Sequence, residues 1–268
     1  MLGPAILSYI SAILGRASVP LLGSPLIERP IFMGLLCGIL LGDIQYGIIL
    51  GAQMELIFLG VTNIGGVQGG TDLVGATTVA AGIGISQGIP MEIILPVGVT
   101  LAFAGFVFTP IRWVTAELLL PFIDKSARTG KRLATDIRCQ GFNVLAACAQ
   151  FFWVFFAVFF GAEFLNMLME KAPAVVLDGL RAASTILPGV GFAIIISMIW
   201  NKKLAVYFFL GFFLYKYLPE VNIIFLFIIA FSIAAIDYLR SRDTDEKLKK
   251  LLAKAKGSSK EEGSCHEQ

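Results

Sequence analysis

Long apolar runs in this chain alternate with short polar interruptions, and the first third differs from the rest in how closely those interruptions are spaced. Residues 1–22, MLGPAILSYISAILGRASVPLL, are long enough for one helix that crosses a membrane or lies along it, although Gly15, Arg16 and Pro20 disturb it. Glu28, Arg29 and Pro30 mark a break, and Pro30 suits the first turn of a new helix, where its missing N–H is not needed. The run IFMGLLCGILLG that follows holds 12 residues before Asp43. That is too few to cross, and it predicts a half-span or re-entrant arm. A second short arm, GIILGAQMELIFLG, follows residues 44–46 and is expected to meet the first tip to tip. After it comes NIGGVQGGTD, whose four glycines and two amides suit tight turns and a close backbone approach to a ligand.

The remainder reads as more ordinary spans. Residues 73–89 are rich in small side chains, which permits close helix packing in a membrane. Pro90, Met91 and Glu92 interrupt, and 93–111 reads as a full span followed by an interfacial segment, WVTAELLLPFI. The stretch DKSARTGKRLATDIRC carries Lys125, Arg128, Lys131, Arg132 and Arg138, which is the strongest orientation signal and places it, as a loop, in the cytoplasm. Residues 142–164 then span outward, 166–181 form a Pro-broken amphipathic segment at the outer face, and 182–200 return through a break at Pro188-Gly-Val-Gly191. Two further spans, 204–218 and 223–239, end at Arg240 and Arg242 with the C-terminus inside. The expected organisation is a transmembrane domain over 1–240 and a charged cytoplasmic tail over 241–268, helical at most over 244–256 and otherwise disordered.

Composition agrees with this class. The chain has 268 residues, 57% hydrophobic and 15% charged, and its mean hydropathy is +0.81. Those values fit a polytopic membrane protein rather than a soluble domain. The net charge of +2 points to no nucleic-acid partner, since the basic residues report orientation instead. Cys37, Cys139, Cys148 and Cys265 lack CxxC spacing and are read as free thiols, so neither a metal site nor a cofactor is expected. No cleavable leader is recognisable at the start. The sole histidine, His266, stands in the polar tail, and HExxH, GxSxG and P-loop patterns are all missing. The chain therefore shows no engine of its own.

Candidate chemistry lies in the first third. Glu55, in the apolar context AQMELIFLG, is either tied to a helix end or free to accept solute hydroxyls. Asn63, Gln68 and Asp72 could each form turns in a glycine-rich loop, but three such groups together at membrane depth exceed what a turn requires. Asp43 is read as the cap of a helix starting near Gly47. Asp178 and Arg181 form a surface i,i+3 pair, and FFWVFFAVFF at 151–160 is lipid-facing or packing surface.

The run from Gly38 through Gly42-Asp43, Gly47-Ile48-Ile49, Gly51 and on to Glu55, with Arg29-Pro30 before it and Leu59-Gly60 and Asn63-Ile64-Gly65 after it, closely resembles the IIC signature of the mannose-fructose-sorbose family of the bacterial phosphotransferase system. It departs from that signature at Ala52, Gln53 and Met54. The resemblance implies an all-α polytopic membrane protein with re-entrant or broken helical hairpins, divided into a mobile core and a fixed scaffold, in the bacterial cytoplasmic membrane. It also implies a sugar substrate, a IID membrane partner in a trimer of heterodimers, and cytoplasmic IIA and IIB subunits that carry the phosphate, so that this chain is not an enzyme on its own. The family's sugar site maps to Glu55, Asn63, Gln68 and Asp72. The alternatives are a stand-alone proton-coupled transporter, with Glu55 or Asp72 as the proton site, and a non-binding membrane scaffold.

Overall fold

A computed structural model describes residues 1–22, 26–61, 70–128, 130, 132–171, 173–201, 205–217, 222, 224–240 and 242, and among these there are helices and no strands. In chain order the helices are α1 (Leu2–Leu22), α2 (Pro30–Leu41), α3 (Ile44–Ile57), α4 (Leu73–Gln87), α5 (Met91–Phe106), α6 (Thr109–Arg128), α7 (Arg132–Lys171), α8 (Ala174–Ile199) and α9 (Ala205–Tyr217). A tenth, α10, covers 224–240. The chain divides into two compact units, Met1–Ile199 and Trp200–Gln268.

In the first unit α4 is the axis, packed by α1, α2, α3, α5 and α7. It is buried without interruption from Val74 to Gly84. Its sequence explains this, because VGATTVAAGIG offers no bulky side chain to hold neighbouring backbones apart. The hairpin of α2 and α3 uses the same device more sharply. Gly34 and Gly38 on one arm face Gly47 and Gly51 on the other, so closely that a Cβ on Gly34 would lie 2.7 Å from Gly51 Cα and one on Gly47 would lie 2.8 Å from Gly38 Cα. The arms therefore pack side by side, not tip to tip as their lengths alone suggested. The turn between them is made by Gly42 at φ +89°, which only glycine adopts without strain, and by Asp43, whose carboxylate accepts from Tyr46 N–H at 2.9 Å. Asp43 is thus the expected cap, of a helix that begins at Ile44 rather than near Gly47.

With 12 and 14 residues, α2 and α3 rise only about 18 and 21 Å, short of a ~30 Å hydrocarbon core. Tyr46 ties the hairpin tip to the end of α4, its hydroxyl donating to Ile89 C=O at 2.7 Å while its ring fills the space beside Gly84. Tyr46→Phe leaves that carbonyl one donor short and is expected to cost about 1–2 kcal/mol. A lowered thermal midpoint of the purified protein would show it, and an unchanged one would mean that the hydroxyl contributes nothing.

Among the described residues, three segments are long and apolar enough to cross a membrane: Met91–Arg128, Thr135–Lys171 and Ala174–Ile199. They correct four expectations. The span over 93–111 ends at Phe106, and after a turn at Val107 and Phe108 the chain restarts as α6, with Pro110 tolerated in the first turn. The basic stretch is not one loop but the last turn of α6, with Lys125 and Arg128, followed shortly by the start of α7. Residues 166–181 are not a separate segment, for α7 runs on to Lys171 and α8 starts at Ala174. Pro188-Gly-Val-Gly191 breaks nothing. Pro188 lies inside a continuous α8, as membrane helices allow when neighbours satisfy the freed backbone groups, and Gly191 lets α8 press against the backbone of Leu56 and Ile57.

The aromatic run on α7 has two faces. Phe151, Trp153, Val154 and Val158 are buried, whereas Phe152, Phe156 and Phe160 are exposed. Asp178 and Arg181 form the expected exposed pair at 3.1 Å, worth no more than a few tenths of a kcal/mol. In the second unit α9 buries none of its residues, and α9 and α10 flank an apolar groove of about 750 Å³ lined by Leu210, Leu214 and Phe227 among others. Residues 243–268, including Cys265 and His266, lie outside the described residues, as does 219–221 of the expected turn.

Candidate functional site

Two carboxylates bracket the glycine-rich segment, and each is held by one oxygen only. Glu55 stands in the last turn of α3, at the open end of the hairpin where Arg29 leads into α2. Arg29 Nε donates to Glu55 Oε1 at 2.7 Å and Arg29 Nη2 donates to the same oxygen. Glu55 Oε2 is buried and accepts from none of the described residues. Glu28, the preceding residue, turns the other way and accepts from Arg16 Nη1 on α1, while Arg16 Nε is left without a partner.

Asp72 is the N-cap of α4. Its N–H donates to Ala102 C=O of α5 at 2.8 Å, and its Oδ1 accepts from Gly75 N–H at 3.0 Å. Oδ2 is buried and meets full hydrogen-bond geometry with none of the described residues, although the Trp153 indole N–H faces it as a donor. The indole of Trp153 lies beside Gly75 and Gly105, against Asp72, and stacks on Phe108 with ring centroids 5.6 Å apart. Among the described residues, Thr71 Oγ1 and Thr109 Oγ1 are also buried without hydrogen bonds. Arg112, half-buried on α6, stands within the electrostatic reach of Arg16 and Glu28.

Leaving one buried carboxylate oxygen unpaired costs on the order of 1–3 kcal/mol. Such atoms call for donors from elsewhere. Ionised carboxylates only accept, so the fitting guests carry O–H or N–H groups. Of the expected site residues, Glu55 and Asp72 occupy the two sides of the segment joining α3 to α4, while Asn63 and Gln68 lie outside the described residues. The sequence reading missed Arg29 as the partner of Glu55. Twenty-six positions separate the pair, and the adjacent Glu28 offered Arg29 an equally plausible local partner. Trp153 was missed because it is embedded in an aromatic run that looked uniform.

Short glycine-packed arms and long apolar helices define an all-α polytopic membrane protein. The pattern described as the PTS system sorbose-specific IIC component matches residues 2–236. The mannose-specific EIIC component of Escherichia coli K12 is 31% identical over 195 residues, covering 69% of this chain and 70% of that one. The sorbose-specific EIIC component of Lacticaseibacillus casei is 30% identical over 209 residues, covering 78% and 74%. The N-acetylgalactosamine permease IIC component 1 of Escherichia coli K12 is 24% identical over 227 residues, covering 81% of each. One solved membrane-protein structure superposes with a TM-score of 0.73 at 26% identity, over 88% of this chain and 95% of that one. The mannose transporter ManYZ in complex with microcin E492 superposes with a TM-score of 0.52 at 25% identity, over 88% and 94%. The chain belongs to the sorbose-type IIC family of the phosphotransferase system, and it is a multi-pass membrane subunit, as its signature and helix lengths led one to expect.

Proposed function

We propose that this IIC subunit binds a hexose or amino sugar through Glu55, Asn63, Gln68 and Asp72 and carries it inward by an elevator-like movement of a core against a scaffold, for phosphorylation by a cytoplasmic IIB subunit. The observation that carries this reading is the pair of half-used carboxylates. Among the described residues, Glu55 Oε2 and Asp72 Oδ2 complete no hydrogen bond, and in sequence one stands before and the other after the segment that holds Asn63 and Gln68. The relatives named for mannose, sorbose and N-acetylgalactosamine take solutes rich in the donors such acceptors need. Binding alone favours neither side of the membrane, so trapping as the sugar phosphate supplies the direction.

In this reading the phosphoryl group never rests on this chain, and IIA and IIB bring it. The uncovered apolar surface of α9 suits lipid or a IID subunit, and likeness to the mannose transporter ManYZ supports pairing with a IID subunit, the pair assembling further as a trimer of heterodimers in this reading. Arg240 at the end of α10 and Arg242 beyond it suit a cytoplasmic C-terminus in a bacterial inner membrane, with 1–240 as the transmembrane domain and 241–268 as its tail. Uptake in vesicles containing the chain with its IID subunit decides between coupling modes. Accumulation that requires phosphoenolpyruvate and the IIA and IIB subunits supports the proposal. Accumulation driven by a pH gradient without them contradicts it and favours proton coupling.

A further inference from the structure

Resting on the sugar-binding reading, we infer that Arg29 is a positioning residue, which turns Glu55 so that Oε2 is presented to one particular hydroxyl or amine of the solute. An arginine fork usually grips a carboxylate through both oxygens, one N–H to each. Here Nε and Nη2 converge on Oε1 alone, and Oε2 is left buried and free. A clamp on both oxygens would close the pair on itself, whereas this one fixes the carboxylate plane and keeps one oxygen open.

The local sequence makes the choice of partner one-sided. Arg29 follows Glu28, but Glu28 is engaged by Arg16 of α1, so Arg29 has no competing carboxylate beside it. Pro30 then starts α2 immediately, with Arg29 itself extended at φ −74° and ψ 146°, which fixes where its side chain leaves the backbone. Gly51, one turn before Glu55 on α3, allows α3 to approach Pro30 and Ile31, with a would-be Cβ 2.7 Å from Pro30 O, and so brings Glu55 within reach. The hairpin glycines and the ion pair thus form one device. A bland staple at the open end of the hairpin would hold the arms together equally well, but it would not need to leave a carboxylate oxygen bare.

The test measures sugar affinity in the full chain purified with its IID subunit, using mannose, sorbose and N-acetylgalactosamine, and then the monodeoxy analogues of whichever binds best. In the unmodified complex one analogue is expected to bind about tenfold more weakly because it lacks the hydroxyl accepted by Glu55 Oε2. Glu55→Gln should lose discrimination at that position. Arg29→Gln should lose it at the same position while keeping discrimination at the others. Arg29→Lys, which keeps the charge but not the planar fork, should weaken it at that position only, and it decides the matter if Arg29→Gln does not assemble. Unchanged discrimination in the Arg29 variants, or an equal loss at every hydroxyl, overturns the positioning role while leaving sugar binding intact. An unmodified complex that binds none of the sugars overturns the underlying reading and the inference with it.

Discussion

Gly47→Val is expected to prevent this protein from accumulating as a folded membrane subunit. Even the first carbon of the new side chain would lie 2.8 Å from Gly38 Cα and 3.0 Å from Gly38 N, and the neighbouring contact with the Gly34 carbonyl is closer still. These neighbours are backbone atoms and cannot rotate aside. Ordinary overpacking costs about 1–3 kcal/mol, and a clash with backbone along a helix pair should exceed that. The arms would have to separate, which would also withdraw Glu55 from Arg29. Gly141→Ala supplies the contrast, because nothing described lies within 4 Å of a Cβ there. It should be neutral or slightly stabilising through helix propensity. The yield of monodisperse protein in detergent and its thermal midpoint distinguish the two, and a Gly47→Val protein as abundant and stable as the unmodified one would refute the packing described for the hairpin.

Asp72→Asn is expected to reduce sugar uptake by about a hundredfold with little loss of folded protein. The two roles of Asp72 belong to different oxygens. Oδ1 caps α4 through Gly75 N–H, and an asparagine carbonyl caps nearly as well. Oδ2, beside the Trp153 indole N–H, is the acceptor left for a solute, and an amide nitrogen in its place sets a donor against donors. A hydrogen bond to a charged group contributes about 1.5–3 kcal/mol, and the mismatch adds to its loss. Asp72→Ala should show the same functional loss plus about 1 kcal/mol of instability from the missing cap. Transport assays beside thermal melts separate these effects. Normal uptake by Asp72→Asn would leave Asp72 a cap and nothing more.

Much of the helix inventory was legible because run length is a physical limit. Runs of a dozen residues cannot cross a bilayer, and the short arms ending at Leu41 and Ile57 appear where the polar interruptions place them. Side-by-side packing of those arms was also encoded, in the spacing of four between Gly34 and Gly38 and between Gly47 and Gly51, a small-residue pattern that brings helices into contact. The tip-to-tip expectation overlooked it. Pro188 misled because proline was weighed as in water, whereas a membrane helix can absorb it.

The faces of α7 were hidden for a different reason. In lipid both the packed and the exposed side of a helix are apolar, so Phe151 and Phe152 look alike in sequence although one is buried and the other is not. The candidate carboxylates were legible as residue types, and their protein partners were not. Glu55 and Asp72 could be singled out by the cost of carboxylates at that depth, but which oxygen would be used, and by whom, depended on Arg29 and Gly75 arriving from the fold.

The central claim is that Glu55 and Asp72 each keep one oxygen free for a polar solute. A cryo-electron microscopy map of the chain with its IID subunit, prepared in a saturating concentration of the sugar it binds best, tests this most directly. The account predicts sugar density within hydrogen-bond distance of Glu55 Oε2 and Asp72 Oδ2. Both oxygens paired to protein groups, with the sugar bound elsewhere, would contradict it.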